Sequence, residues 1–313
     1  MEETVTMRAA VVDGFGPADT LRVERLPVPV PGPGEVLVRV GAAGVNAIDW
    51  ATRAGHGVGL PHLPAVLGWD LAGTVTATGP GADRFAVGDR VYGMPRFPDL
   101  AGAYAQYAAA PQDELAPVPA GVGITEAAAL PMVVLTAWQT LFEHGGLRPG
   151  QRVLVPGAAG GVGHVLVQLA ADAGAEVIGT ASARNREFVL GLGAVEVVAH
   201  DMVRDVKDVD LAVDLMGGAE FFRLLDVVRP GGIVVTLKGE GPDHRRAAAQ
   251  HGVRTGFTYV RPDAAVLGQA APLIASGRVR PAVERVFPLA EAGHAHALGE
   301  QGHVRGRLVL DLS

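Results

Sequence analysis

The segment PGAAGGVG, residues 156–163, is where residue types and spacing most directly predict chemistry. Ala158, Gly160 and Gly163 align with the Gly-x-Gly-x-x-Gly pattern, with alanine at its first position. In dinucleotide-binding turns the second glycine lets the backbone approach a pyrophosphate, and the third lets the helix pack close to the strand. The strand-like RVLVP precedes the segment and a helical pattern begins near Val162, as the motif requires. We therefore predict a dinucleotide site; the alternative is a tight turn that binds nothing.

The residues after the next predicted strand, EVIGT, indicate which dinucleotide binds. An NAD site normally places Asp or Glu at that strand end, where the carboxylate binds the ribose 2'-hydroxyl. Here the first acid is Glu187, and it follows Ser182, Arg184 and Arg186. Because a hydroxyl and guanidinium forks suit a 2'-phosphate, this stretch predicts NADPH rather than NADH. The alternative is a solvated helix start, although cations near a helix N-terminus are mildly unfavourable.

Candidate proton donors are His56, His62 and Tyr104, which lie in or near predicted loops that could line a cleft. Loops often carry catalytic residues, but a surface position without a chemical role is the alternative for each of the three. Asp49, in NAIDW, could act as a base, but we predict that it caps the helix WATRAG.

Two neighbouring residues in GWDLAG receive structural interpretations. Asp70 is predicted to bind backbone groups or Arg53, because a short carboxylate bonds readily to nearby backbone. Trp69 is predicted to shape an apolar pocket wall.

The order of elements predicts two domains in an α/β chain. Residues up to about Leu115 contain short alternating strands, and TEAAALPMVVLTAWQTLFEHG has a helical period that Thr125 could cap. From Gln151 onward, strands rich in Val, Leu and Ile alternate with helices, which is typical of a parallel sheet buried on both faces. The short strands at the C-terminus suggest a return to the β-rich part.

Composition restricts the classes of function. The chain has 26 basic and 33 acidic residues, with a formal charge of −7, which disfavours nucleic acid as the main partner. It has no cysteine, so disulfides, thiolate catalysis and cysteine-ligated zinc are excluded. His294, His296 and His303 form a loose cluster, but no metal site is predicted there. The start MEETVTMRAA lacks an apolar core and ITEAAALPMVVLTAWQTLF is interrupted by polar residues, so neither a signal peptide nor a membrane span is predicted. A cytoplasmic location is expected.

The order of motifs resembles the zinc-free branch of the medium-chain dehydrogenase/reductase superfamily, above all its quinone oxidoreductases and enoyl reductases. GVNAIDWATRAG, PAVLGWDLAGTV, GDRVYG, LTAWQTLFE, PGAAGGVG, DLMGG and RGRLVL follow the family's order nearly from end to end. The resemblance implies a GroES-like β-rich catalytic domain, residues 1–124 completed by 266–313, and a Rossmann domain, residues 125–265. Nicotinamide and substrate are expected in a cleft between the two domains. Zinc-dependent members carry ligands where this chain has Asn46 and Gly-Trp-Asp, so the resemblance implies no metal.

The resemblance also assigns residues to roles. Asn46 matches a polar residue that faces the substrate, and Thr136 a residue near the nicotinamide. These two are predicted to take part in catalysis, with His56 and Tyr104 as candidate acids. The remaining matches all fall on expected coenzyme contacts: Gly160, Gly161 and Val162 at the pyrophosphate, Ser182 and Arg186 at the 2'-phosphate, His200 near the adenosine, Met216, Gly217, Leu237 and Lys238 near the nicotinamide and its ribose, and Arg305.

These observations predict an NADPH-dependent oxidoreductase that transfers hydride to a quinone or an α,β-unsaturated carbonyl compound without a metal. A tailoring enoyl reductase or cyclase of a polyketide-like pathway is the second hypothesis, and an NADPH-sensing protein without turnover is the third. The apolar segment RTGFTYV is strand-like and could form the sheet edge through which dimers of the family often join, so a homodimer is expected.

Overall fold

The computed structural model describes residues 5–313, which divide into two compact units. The first unit contains the residues up to Met132, Arg261–Gly277 and Pro281–Ser313, and the second contains Val133–Val260 and Arg278–Arg280. The sequence predicted domain boundaries at residues 124 and 265. In the structure the first boundary lies at Met132, eight residues later, and the second at Val260, five residues earlier. The predicted fold class, a β-rich unit with a parallel-sheet unit, is confirmed.

The first unit begins with eight strands and two short helices. In chain order they are β1 (Thr6–Val12), β2 (Arg22–Pro27), β3 (Glu35–Val45), α1 (Ala47–Arg53), β4 (Ala65–Val66), β5 (Asp70–Thr78), β6 (Arg90–Gly93), β7 (Tyr107–Pro111), β8 (Leu115–Pro117) and α2 (Ile124–Ala128), with 3-10 turns at Ala18–Thr20 and Gln112–Glu114.

The chain then enters the second unit and finally returns to the first. The elements are α3 (Pro131–Trp138), a π-helix (Gln139–His144), β9 (Arg152–Val155), α4 (Gly163–Asp172), β10 (Glu176–Thr180), α5 (Arg186–Gly191), β11 (Glu196–Val198), β12 (Val209–Asp214), α6 (Ala219–Leu225), β13 (Val228–Thr236), α7 (Pro242–Gln250), β14 (Arg254–Phe257), α8 (Ala264–Ala275), β15 (Val283–Pro288), α9 (Ala292–Glu300) and β16 (Arg307–Asp311), with 3-10 turns at Ala183–Asn185, His200–Asp205 and Leu289–Glu291.

Two sheets form the first unit. A seven-stranded sheet has the order β15-β16-β3-β5-β6-β8, with β7 also paired to β3, and a three-stranded sheet has the order β2-β1-β4. The alternation predicted for β3 buries Val36, Val38 and Val40 in the core of this unit. The C-terminal strand β16 lies antiparallel to β3, with Leu308 opposite Val45, so both ends of the chain build one sheet.

The second unit is a six-stranded parallel sheet of order β11-β10-β9-β12-β13-β14. Its inner strands are continuous apolar runs, such as Val153–Val155 and Leu211–Val213, and these are buried, as both faces of a helix-covered sheet should be. Because all six strands run parallel, their carboxyl ends meet at one edge, where ligands of such sheets bind.

The helix predicted to start at Thr125 is divided in the structure. Gly123 is the N-cap of α2, so Thr125 lies inside the helix and does not cap it. Helix α2 ends at Ala128, and α3 begins at Pro131, whose missing N–H is tolerated at a first helical position.

Candidate functional site

The glycine turn in the second unit is held by the end of the neighbouring strand. The Gly157 N–H donates to Thr180 Oγ1 over 3.0 Å, and the Ala158 N–H donates to the Thr180 carbonyl over 3.0 Å. Helix α4 then begins at Gly163, close to the position predicted. A Cβ on Gly163 would lie 2.2 Å from the Gly157 carbonyl oxygen, so only glycine lets the helix approach the turn this closely.

This turn leaves backbone donors available for an anion. The Gly160 N–H donates to the Gly157 carbonyl over 2.9 Å. For the N–H groups of Gly161 and Val162, the described residues supply no acceptor. Both residues are half-buried at the N-terminus of α4, where the helix dipole favours negative charge. The geometry therefore fits a bound pyrophosphate.

The strand end after β10 carries the residues predicted to select the dinucleotide. Ser182 is exposed and starts the 3-10 turn, and its carbonyl accepts the Asn185 N–H over 2.9 Å. Arg186 is also exposed, but its Nη1 donates to the Val197 carbonyl in β11. Glu187 is exposed on α5, one residue after Arg186. The roles of Ser182 and Arg186 stay predictions, although a hydroxyl and a guanidinium do flank this strand end.

A residue that the sequence analysis missed, Thr180, connects the turn with His200. The Thr180 side chain is fully buried, and its Oγ1 lies 2.9 Å from Nδ1 of the exposed His200. The signal in the sequence was a threonine at the very end of the strand EVIGT, where a hydroxyl can reach both neighbouring loops.

A second missed residue, Asp214, organises the loops after β12 and β13. Its Oδ1 accepts the N–H groups of Met216 and Gly217 over 3.1 and 2.7 Å, and its Oδ2 accepts the Thr236 hydroxyl over 2.8 Å. The Asp214 carbonyl accepts the Leu237 N–H over 2.9 Å.

The two loops that Asp214 holds also touch each other. Gly217 lies so near Lys238 that a Cβ on Gly217 would be 2.8 Å from the lysine Cβ. Met216 is 71% exposed at the same place. The structure thus brings together the residues predicted to lie near the nicotinamide ribose and carboxamide.

In the first unit, Asp70 is the centre of a buried polar cluster. Its Oδ1 accepts the Met132 N–H over 2.8 Å, and its Oδ2 accepts Arg307 Nη2 over 2.8 Å and Asn46 Nδ2 over 3.0 Å. Burial raises the pKa of Asp70 from 3.8 to about 6, because desolvation outweighs the attraction of Arg307. Burial also lowers the pKa of Arg307, against the attraction of Asp70.

Asp70 binds a backbone N–H group, that of Met132, as predicted, but it does not bind Arg53. Arg53 is 2% exposed and pairs instead with Glu300 on α9, while its Nε donates to the Gly16 carbonyl over 3.0 Å. The partner of Asp70 is Arg307, which lies 237 residues away in the chain and was missed.

Asp49 was predicted to cap a helix that starts at Trp50, but α1 starts at Ala47 and its N-cap is Asn46; Asp49 is the third helical residue and completes the capping box. Its Oδ2 accepts the backbone N–H of Asn46 over 2.6 Å and the Tyr104 hydroxyl over 3.0 Å. Burial raises the pKa of Asp49 from 3.8 to about 7, against these two hydrogen bonds. Among the buried side chains described, Asp49 Oδ1 has no hydrogen-bond partner.

Tyr104 is not the loop-surface residue that the sequence suggested. It is fully buried in the core of the first unit, and its hydroxyl also lies 3.2 Å from His296 Nε2. Burial, followed by the charge of Asp49, raises the pKa of Tyr104 well above 10. His296 is buried on α9, and burial with the nearby Arg53 lowers its pKa from 6.5 to about 3. Its neutral ring belongs to this cluster, not to one with exposed His294 and His303.

The remaining candidates lie in different settings. His56 and His62 are exposed in the loop after α1, and Arg305 is exposed just before β16, where its N–H donates to Glu284. Thr136 is buried in α3.

In residues 5–313 no group of three or more His, Cys, Asp or Glu side chains is placed to hold a metal ion. Over the same residues, no helix is long and apolar enough to cross a membrane.

Two segments of the chain match known protein families. Residues 32–120 match the family described as alcohol dehydrogenase GroES-like domain, and residues 192–310 match the family described as zinc-binding dehydrogenase. The chain is 32% identical to the quinone oxidoreductase of Mus musculus, across 93% of each protein. It is 30% identical to the mitochondrial NAD(P)H oxidoreductase RTN4IP1 of Danio rerio, across 98% of this chain and 91% of that protein.

The quinone oxidoreductase from Coxiella burnetii is a similar solved structure. It superposes with a TM-score of 0.93 at 32% identity, and the match covers 99% of this chain and all of the other. Identity at this level over whole chains supports a shared family as well as a shared fold.

Proposed function

Because the chain belongs to the medium-chain dehydrogenase/reductase superfamily, as an oxidoreductase of the quinone-reductase type, we propose that it reduces a quinone or an α,β-unsaturated carbonyl compound with NADPH and without a metal ion. When bound, the dihydronicotinamide supplies the hydride. The chain's own residues bind the coenzyme, orient it and stabilise the charge that develops on the substrate oxygen.

The coenzyme part of the proposal is carried by one observation, the polar environment after β10. The glycine turn offers N–H groups to a pyrophosphate, and residues 181–186, directly after β10, include no Asp or Glu to bind a free 2'-hydroxyl. Ser182 and Arg186 are exposed there, and they suit a phosphate through a hydroxyl and a guanidinium fork.

The side chains at the positions of the zinc ligands support a reaction without a metal ion. At the positions where zinc-dependent relatives carry ligands, Asn46 Nδ2 donates to Asp70, and both Asp70 oxygens already accept hydrogen bonds. Trp69 is buried and its indole N–H donates to the Asp99 carbonyl over 2.7 Å. Indole nitrogen is only a donor, so these residues do not fit a tetrahedral zinc site.

Asn46 is the residue that we assign to the substrate oxygen. One of its two amide N–H groups donates to Asp70. The second can donate to the substrate carbonyl oxygen as that oxygen gains negative charge. We assign the final proton to water, because Tyr104 is buried and its hydroxyl is engaged by Asp49 and His296.

The test is the loss of NADPH absorbance with a panel of quinones and enones, repeated with NADH. We expect substrate-dependent oxidation with a clear preference for NADPH. A preference for NADH would contradict the roles of Ser182 and Arg186. NADPH binding without turnover on any member of the panel would instead favour the sensing function.

A homodimer is the proposed assembly. Strand β14 is an edge of the six-stranded sheet, and Phe257 and Tyr259 are 37% and 54% exposed beside it. An exposed edge with aromatic side chains is a template for pairing with a second copy.

A further inference from the structure

Thr180 bonds to two separate segments at the carboxyl edge of the parallel sheet. Its carbonyl and its Oγ1 accept the consecutive N–H groups of Ala158 and Gly157, each over 3.0 Å. The same Oγ1 lies 2.9 Å from Nδ1 of His200, which follows the neighbouring strand β11. One side chain therefore fixes the glycine turn and an imidazole ring relative to each other.

The proton of the Thr180 hydroxyl has one acceptor among the described residues. Because Oγ1 accepts from the Gly157 N–H, the hydroxyl proton must point elsewhere, and His200 Nδ1 is the acceptor in reach. A fully buried hydroxyl without an acceptor is costly, so this direction is favoured. The Nδ1 atom of His200 is then unprotonated, and the proton of the neutral ring is on Nε2.

The position of this ring determines what it can bind. In a dinucleotide-binding sheet the adenosine ribose lies beyond the end of the second strand, which here is β10, the strand that ends at Thr180. His200 is exposed beside that strand end, and with Nδ1 bonded to Thr180 its Nε2–H is the ring donor left for a ligand there.

From this geometry we infer that Thr180 is a positioning residue for the adenosine half of the coenzyme: its hydroxyl fixes the glycine turn and holds His200 as an Nε2–H donor to an acceptor atom of the adenosine. The inference rests on the proposed function for the identity of the ligand, but the tautomer of His200 is a property of the protein alone.

The first experiment measures that tautomer by ¹⁵N-detected NMR of the imidazole in the coenzyme-free protein at neutral pH. We expect an unprotonated Nδ1 and a protonated Nε2 in the natural protein and in Thr180→Ser. In Thr180→Val the Nε2–H fraction should fall from nearly complete to the mixed population of an unconstrained neutral imidazole, because the isosteric side chain cannot donate. A protonated Nδ1 in the natural protein, or an unchanged ring in Thr180→Val, would overturn the inference.

The second experiment measures the dissociation constants of NADPH and of 2'-phospho-AMP, which carries only the adenosine half. Thr180→Val should raise both by roughly three- to tenfold, the effect of one or two hydrogen bonds, and Thr180→Ser should restore them. Thr258→Val is the matched control, because it removes a buried hydroxyl, bonded to Thr140 over 3.1 Å, beyond β14 at the far edge of the same sheet.

The results separate the two proposals. If the natural protein binds no NADPH, the proposed function fails, while the NMR result still decides the tautomer. If it binds NADPH and Thr180→Val binds as tightly, or if Thr258→Val weakens binding equally, the positioning role of Thr180 is refuted and the proposed function stands.

Discussion

At the scale of single residues, Arg186 offers the most direct test of coenzyme choice. Arg186→Glu replaces an exposed guanidinium after β10 with a carboxylate, which repels a 2'-phosphate and suits a free 2'-hydroxyl. Loss of a charged hydrogen bond should raise the KM for NADPH by about 10- to 100-fold, with little change for NADH. Steady-state kinetics with both coenzymes measure this. Arg204→Glu, an exposed charge change in the same unit, is the control. An equal rise in the KM values for both coenzymes would show that Arg186 does not bind the 2'-phosphate.

Asp70 offers a residue-scale test of stability. Asp70→Asn removes the countercharge of Arg307, whose side chain is 5% exposed. The raised pKa of Asp70 shows that its charge is only partly compensated, so the cost of the change comes from hydrogen bonding: one carboxylate oxygen becomes an amide donor that faces other N–H donors. A buried donor left without an acceptor costs about 1–3 kcal/mol, so the free energy of unfolding in urea should fall by that amount. Asp243→Asn breaks a pair with Arg246 in which both side chains are 74% exposed, and should change stability by less than about 0.5 kcal/mol. Similar effects in both variants would show that the buried pair is no more important than the exposed one.

At the scale of elements, the unit of β9, the glycine turn and α4 depends on Gly163. In Gly163→Ala the new methyl group must displace the Gly157 carbonyl, which would lie 2.2 Å away. We expect a loss of about 1–3 kcal/mol in the free energy of unfolding, as for other overpacked sites, and weaker NADPH binding. Urea unfolding and a binding titration measure the two effects.

The matched control for this change is Gly191→Ala, near the end of α5, where a Cβ would meet nothing within 4 Å. Alanine there should leave binding unchanged and leave stability unchanged or slightly higher, because it restricts the unfolded chain. If Gly163→Ala behaved like Gly191→Ala, the close approach of helix and turn would not matter for the site.

Sequence patterns predicted these elements where local chemistry decides them. The glycine turn, the start of α4 and the structural role of Asp49 at the start of α1 follow from residues near one another in the chain. The bond between Thr180 and His200 forms because β10 and β11 are neighbours in the sheet. The ion pair of Asp70 with Arg307 forms because strand β16, which carries Arg307, lies beside β3. Contacts of this kind are set by sheet order, which no local pattern contains, so Arg307 and His296 could not be placed from the sequence.

At the scale of the whole molecule, buried titratable groups couple stability to pH. The pKa of Asp49 is raised to about 7 and that of Asp70 to about 6, so the folded protein holds protons that the unfolded chain releases near pH 4. Their contribution is fully present at low pH and is lost as pH rises through 6 and 7. His296, with its pKa lowered to about 3, acts oppositely, and its contribution is lost as pH falls from 6.5 to 3.

Between pH 5 and pH 8 the stability that Asp49 and Asp70 lose on ionising exceeds the stability that His296 contributes. We therefore expect a higher free energy of unfolding in urea at pH 5 than at pH 8. In Asp49→Asn, which cannot ionise beside Tyr104, Asp70 and Arg307, the difference should shrink. A natural protein that is more stable at pH 8, or an Asp49→Asn variant with the same pH dependence, would contradict this account.

The proposed homodimer is also a property of the whole molecule. A charged residue on an edge strand blocks pairing between sheets, so Phe257→Lys should yield a monomer where the natural protein is a dimer. Light scattering after gel filtration gives the mass directly. Val286→Lys, an exposed apolar position on β15, is the control and should leave the mass of the assembly unchanged. A natural protein that is monomeric at micromolar concentration would refute the assembly.

The sheet shared by both ends of the chain has a consequence for synthesis on the ribosome. Nearly all of the second unit is one continuous segment, Val133–Val260, and can complete its contacts as soon as that segment has emerged. The first unit must wait for β16, which is translated after the whole of the second unit, before the guanidinium of Arg307 can reach Asp70. Until then the N-terminal half of the nascent chain carries an open strand edge along β3 and is the part most in need of a chaperone.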